Sequence, residues 1–255
     1  MRSKDHVHPG DEAASAGRRR FLGGVLGAGV AGWAGNPAAR PLPAAQPAPA
    51  ACLLTPALTE GPFYIDQALV RSDIRDGRPG QLLRLRLIVL DTGRGCAPVE
   101  GAQASIWHCD AGGSYSGYDL ASMPPSPGGA HGGGGMHAAP TSAARFLRGV
   151  QPTGADGSAR FVTIYPGWYA PRAVHIHLKI HLGQREVLTS QLFFDETLNR
   201  EVHLGHPAYR ARGASPFLNS QDPIAGTHPG LVRVRRLQDA LGTLEGEFTV
   251  GIVRA

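Results

Sequence analysis

From residue 81 onward, apolar and polar positions alternate in short runs broken by glycine and proline. "QLLRLRLIVLDTG" (81–93) alternates, becomes continuously apolar and ends in a turn signal, which predicts a strand. "GAQASIWHCD" (101–110), "SARFVTIYPG" (158–167), "AVHIHLKIHL" (173–182), "EVLTSQLFFDE" (186–196) and "GEFTVGIVRA" (246–255) read the same way. "LVRVRRLQDAL" (231–241) fits a strand or a short helix, with strand the preferred reading. Six or seven strands with no long helical period predict an all-β protein, a β-sandwich core with long Gly/Pro-rich surface loops. The longest loop, 119–144, carries a GGGG run and cannot form a core, so it is expected at the surface.

One strand raises a chemical question. Along 173–182, Val174, Ile176, Leu178 and Ile180 point one way, while His175, His177, Lys179 and His181 point the other. A polar row of this kind either meets water or, where i and i+2 imidazoles converge, holds a metal. On the metal reading the two leading histidines face the ion, and Lys179 and His181 continue the row towards solvent.

The N-terminus belongs to neither pattern. "GRRRFLGGVLGAGVAGWAG" (17–35) is a basic cluster followed by a Gly/Ala-rich apolar run too short to span a bilayer. Its Arg18-Arg19-x-Phe21-Leu22 order resembles a twin-arginine export signal. "NPAARPLPAAQPAPAA" (36–51) is a Pro/Ala linker. Residues 1–51 are therefore expected to be an export signal and linker, residues 52–255 the working domain, and the protein periplasmic or secreted without a membrane span.

That division also explains the charge. The chain carries a formal +5, but residues 1–51 hold six of its basic residues against three acids. The remaining nineteen bases and seventeen acids nearly cancel, so a nucleic-acid partner is not expected. Three cysteines in an exported chain allow one disulfide. Cys96 and Cys109 lie at opposite ends of a strand, roughly 30 Å or more apart, so Cys52 is the expected partner in any bridge.

Tyrosines surround the histidine strand in sequence: Tyr165 and Tyr169 flank a Pro-Gly turn just before it, and Tyr115 and Tyr118 follow a double glycine. Carboxylates are scarce here and no CxxC spacing occurs, which disfavours structural zinc. Imidazoles with phenolates suit a hard, highly charged ion such as ferric iron.

"LTPALTEGPFY" (54–64), "IWHCDAGGSYSGYD" (106–119), "FLRGVQPTGADGSARFVTIYPGWY" (146–169), "RAVHIHLKI" (172–180) and "SQLFFD" (190–195) occur in an order that resembles the intradiol ring-cleavage dioxygenases, the protocatechuate and catechol dioxygenase superfamily. The resemblance is to its short, exported, single-chain branch. It implies a β-sandwich core and Fe(III) held by Tyr115, Tyr169, His175 and His177. It also implies that Tyr169 leaves the metal as substrate binds, with Arg172 stabilising developing negative charge and Gln191 orienting the reacting groups. Tyr64 is a candidate for lining the substrate pocket, while Tyr118 and Tyr165 match no ligand position. The implied reaction cleaves a catechol between its two hydroxyls with O2, giving a cis,cis-muconate-type product. The competing expectations are a non-catalytic β-sandwich binding module and an exported copper or zinc binder.

Overall fold

The computed structural model describes residues 52–66, 69–118, 139–225 and 231–254. The export-type segment and most of the 119–144 loop therefore lie outside the described residues.

Among the described residues nine strands form two sheets. In the first, β1 (Leu82–Asp91) pairs in parallel with β9 (Leu244–Ile252), which pairs antiparallel with β8 (Arg233–Arg236). Along its length β1 also pairs antiparallel with β5 (Ser158–Ile164) and, near its end, with the two-residue β2 (Ala97–Pro98). The second sheet is antiparallel in the order β4 (Arg148–Pro152), β3 (Gln103–Trp107), β6 (His175–Leu182), β7 (Arg185–Phe193). Leu83, Leu85, Leu87 and Val89 from β1 pack with Ile176, Leu178 and Ile180 from β6 in the core between the sheets. The all-β sandwich is thus as expected.

Two local expectations change. The strand expected over 186–196 stops short: β7 ends at Phe193, and Asp195 caps a helix, α1 (Glu196–Gly205), accepting from the amides of Thr197 and Leu198. A short α2 (Pro207–Arg210) follows, with proline at its first turn. The ambiguous 231–241 stretch is a strand only in its first half, as β8.

The first six residues of β6 are buried on both faces. One face meets the intersheet core; the other is covered by the extended segment 52–66, which crosses the sheet as a strap. At its start the strap is held by a Cys52–Cys96 disulfide and by hydrogen bonds between Thr55 and Gly251. Further along, Leu58 N donates to Thr189 O, the Gln191 amide donates to Thr59 O, and Gly61 lies against the His177 ring. Cys109 remains a buried free thiol, in line with the expectation that it would not bridge Cys96.

The strap overturns the solvent-facing reading of Lys179. This lysine is only 5% exposed. Its Nζ lies 2.7 Å from Glu60 of the strap and 2.9 Å from Glu186, above the Tyr64 ring. Alternation places Lys179 on the histidine face, but only the fold shows that this face is roofed. His181, beyond the strap, is half-buried.

Candidate metal centre

Two glycine turns bring the phenols to the histidine face. Asp110 Oδ1 accepts from the amides of Gly112 and Ser114, closing the turn that leads to Tyr115. The Pro-Gly turn at 166–167 leads to Tyr169, whose carbonyl accepts from the Arg172 amide after a cis Ala170–Pro171 bond. The two turns pack back to back because both lack side chains at the contact. A Cβ on Gly167 would sit 2.3 Å from Asp110 O, and one on Gly113 2.4 Å from Trp168 O. Gly113 also has φ +84°, which L side chains rarely adopt.

The four side chains named from the sequence converge. His175 Nε2 is 3.1 Å from His177 Nε2, 3.3 Å from the Tyr115 hydroxyl and 3.2 Å from the Tyr169 hydroxyl. His177 Nε2 is 3.1 Å from the Tyr115 hydroxyl. All four residues sit among aromatic rings: Phe63 of the strap stacks on Tyr115 at 4.5 Å between centroids, and Trp107 on His177 at 4.9 Å. Among the described residues no group of three or more His, Cys, Asp or Glu converges, so the cluster depends on its phenols.

Burial controls the protonation of this cluster. It drives the His175 imidazole down to about 3, helped by the positive charge of Arg172, and lowers His177 well below its ordinary range. Both rings are therefore neutral near pH 7. His175 Nδ1 lies 2.6 Å from Ala173 O and must carry the proton it donates there, leaving the Nε2 lone pair aimed at the cluster. The Tyr115 phenol is raised well above its usual range, first by burial and then by the neighbouring Tyr169. Burial also pushes Tyr169 up to about 12 against the pull of Arg172. Without a cation these phenols keep their protons.

The donor set fits a metal. Separations of 3.1–3.3 Å are those of neighbouring ligands around one ion at about 2.0–2.1 Å from each. A central cation would also stabilise the phenolate forms that burial opposes.

Solved structures with this fold carry the decisive likeness. An intradiol ring-cleavage dioxygenase from Tetranychus urticae is 30% identical, with TM-score 0.69, over 79% of this chain and 95% of that one. The chain belongs to the intradiol ring-cleavage dioxygenases. It is accordingly an oxidoreductase, and the non-catalytic sandwich is set aside. The dioxygenase domain of a dioxygenase–carbohydrate-binding fusion from Streptomyces sp. SirexAA-E is 28% identical, with TM-score 0.54, over 79% of this chain and 99% of that one. A catechol 1,2-dioxygenase from Acinetobacter sp. shares the fold at 21% identity, with TM-score 0.54, over 78% and 63% of the two chains. No family model matches the sequence, and neither does a curated protein.

The other expected site residues of this dioxygenase occupy distinct places. Arg172 is 8% exposed, and its Nη2 donates to Gln191 Oε1 at 2.6 Å, so the two form one unit beside the cluster. Tyr64 is half-buried one layer away, its ring 4.9 Å from Trp107. The other two tyrosines make different bonds: Tyr118 donates to Tyr64 O at 3.0 Å and Tyr165 to Asn199 Oδ1 at 2.7 Å.

Two residues escaped sequence reasoning. Asp222 forms a buried ion pair with Arg172 at 2.8 Å. Arg148, 6% exposed, donates to Ser116 Oγ, Ser116 O and Phe63 O, tying the Tyr115 turn to the strap. An arginine beside a glycine and an aspartate before a proline are common surface signals, and nothing in their spacing marks them.

Proposed function

We propose that the protein is a non-haem Fe(III) dioxygenase that cleaves catecholic aromatics between their two hydroxyls, incorporating both atoms of O2 into a cis,cis-muconate-type product. The convergence of two phenol oxygens and two imidazole nitrogens on one point supports this reading most strongly. Tyr115, Tyr169, His175 and His177 would hold the ion, and the two phenolates would offset most of its charge in a buried site. When bound, Fe(III) supplies a Lewis-acidic, redox-active centre for a catecholate and O2.

The chain's residues then have separate tasks. Tyr169, on a turn and not within a strand, is the phenol free to swing out, its oxygen taking a proton from a catechol hydroxyl. Tyr115, wedged against Phe63, and the two strand histidines stay in place. The Arg172 guanidinium sets a fixed positive charge beside the reacting ring, and Gln191 holds that guanidinium from its other side. Phe63, Trp107 and the strap exclude water from the histidine face.

We also propose export. The 17–35 pattern supports it, and the Cys52–Cys96 bridge suits an oxidising compartment. N-terminal sequencing of protein recovered outside the cytoplasm should find a start between the basic cluster and Cys52; the intact signal there would contradict this.

Turnover of catechol under 18O2 tests the activity. A ring-opened dicarboxylate carrying both labelled atoms is expected. A product opened beside the two hydroxyls, or one with a single label, would contradict the reading.

A further inference from the structure

The loop 218–225, which follows the helices, folds back over the start of β6. Its Asp222 carboxylate is fully enclosed and accepts four hydrogen bonds. Oδ1 takes the amides of Ile224 (2.8 Å) and Ala225 (3.2 Å) within the loop. Oδ2 takes Arg172 Nε (2.8 Å) and the Ala173 amide (2.7 Å). Burial alone would raise this carboxyl, yet Arg172 and the backbone donors hold it below the usual carboxylate range, so it stays charged at neutral pH.

These bonds fix how Arg172 stands. Its Nε is tied to Asp222 and its Nη2 to Gln191, which is tied in turn to Thr59 O of the strap. Only Nη1 makes no hydrogen bond with a described residue. The Ala173 peptide is gripped by Asp222 at its nitrogen and accepts the His175 Nδ1 proton at its oxygen. One carboxylate thus orients both the guanidinium and the peptide that aligns the first histidine.

We propose that Asp222 is a positioning residue for ring cleavage, clamping Arg172 so that a single guanidinium edge, Nη1, is presented to the substrate. This rests on the dioxygenase function proposed above. Asp222 makes no hydrogen bond to the four clustered side chains; it acts through Arg172 and, more weakly, through the Ala173 peptide. An uncharged isostere would turn an NH2 group towards Arg172 Nε or surrender the loop amides, and either displaces the guanidinium.

The test is a double-mutant cycle of Asp222→Asn and Arg172→Ala, read in kcat and in the urea midpoint of unfolding. In iron-loaded protein, Asp222→Asn should lower kcat about 10- to 100-fold, the range found for partners that orient a metal-site residue. It should cost several-fold less once Arg172 is alanine, the remainder being the part carried by the Ala173 peptide to His175. The two midpoint shifts should be non-additive, because the double variant no longer buries an unpaired charge and folds even if Asp222→Asn alone does not. An unchanged kcat in Asp222→Asn, or the same fold loss with and without Arg172, overturns the assignment. So do additive midpoints, which need no activity to be read. A wild-type protein that neither keeps iron nor opens catechol would end the functional reading, while the midpoints would still report on the clamp.

Discussion

At Tyr169 the chemistry depends on a balance that single substitutions can tip. Burial raises its phenol to about 12 against the attraction of Arg172, so it takes a bound cation to make it a phenolate. On the proposed function, Tyr169→Phe removes one donor from the four and the proton acceptor with it. We expect iron to be retained less tightly and kcat to fall by about 10²-fold or more, the lower range for loss of a positioned proton-transfer group, measured by iron assay and steady-state kinetics. Gly167→Ala tests the same site without touching a donor. Its Cβ would sit 2.3 Å from Asp110 O, so the two tyrosine turns must part. We expect a loss of about 1–3 kcal/mol, the cost of overpacking, with reduced iron content; wild-type values for both would contradict the packing described. The convergence of Tyr115, Tyr169, His175 and His177 was legible in the sequence because each lies in a turn or strand motif that resembles the family's. Asp222 and Arg148 were not, because their roles exist only where the chain returns on itself from a distance.

Among the elements, the strap decides most about the site and was the least legible. Strands 81–93 and 173–182 announce themselves by alternation, whereas residues 52–66 have no period to read. Their structure comes from what they lie against: Thr189, Gln191, Lys179 and the His177 ring. Helix α1 was legible in principle, since Asp195 at its cap and Pro207 just beyond its end are standard boundary signals. The apolar run through Phe194 hid them. The strap is pinned by a bridge between residues 44 apart. Replacing Cys52 and Cys96 together by serine should lower stability by about 2–4 kcal/mol, as expected for a loop of this length, with the loss read from urea unfolding. An unchanged midpoint would mean that the strap's hydrogen bonds alone hold it.

The whole molecule should record its buried histidines in the pH dependence of its stability. His108, enclosed between Cys109 O and Thr163 Oγ1, is lowered by burial to about 4, and His175 to about 3. Each is neutral when folded but takes up a proton near pH 6.5 when unfolded. The unfolded chain therefore binds more protons over the window between roughly pH 6.5 and 4, and stability falls as pH falls through it. Metal-free protein should lose about 1.4 kcal/mol per pH unit for each such histidine near pH 5, measured by urea melts from pH 7.5 to 4.5. A flat profile would mean that these rings are solvated. Composition alone would have pointed elsewhere: the formal +5 suggests a polyanion partner until more than half of it is assigned to residues 1–51.

The most direct measurement is the visible absorption spectrum of the purified protein beside its metal content. Two tyrosinates on ferric iron should give about one iron per chain and a broad charge-transfer band that colours the protein burgundy to red. Tyr169→Phe should weaken or shift the band, and catechol added under nitrogen should move it to longer wavelength. A colourless protein filled with zinc or copper, or one whose colour ignores Tyr169, would contradict the account.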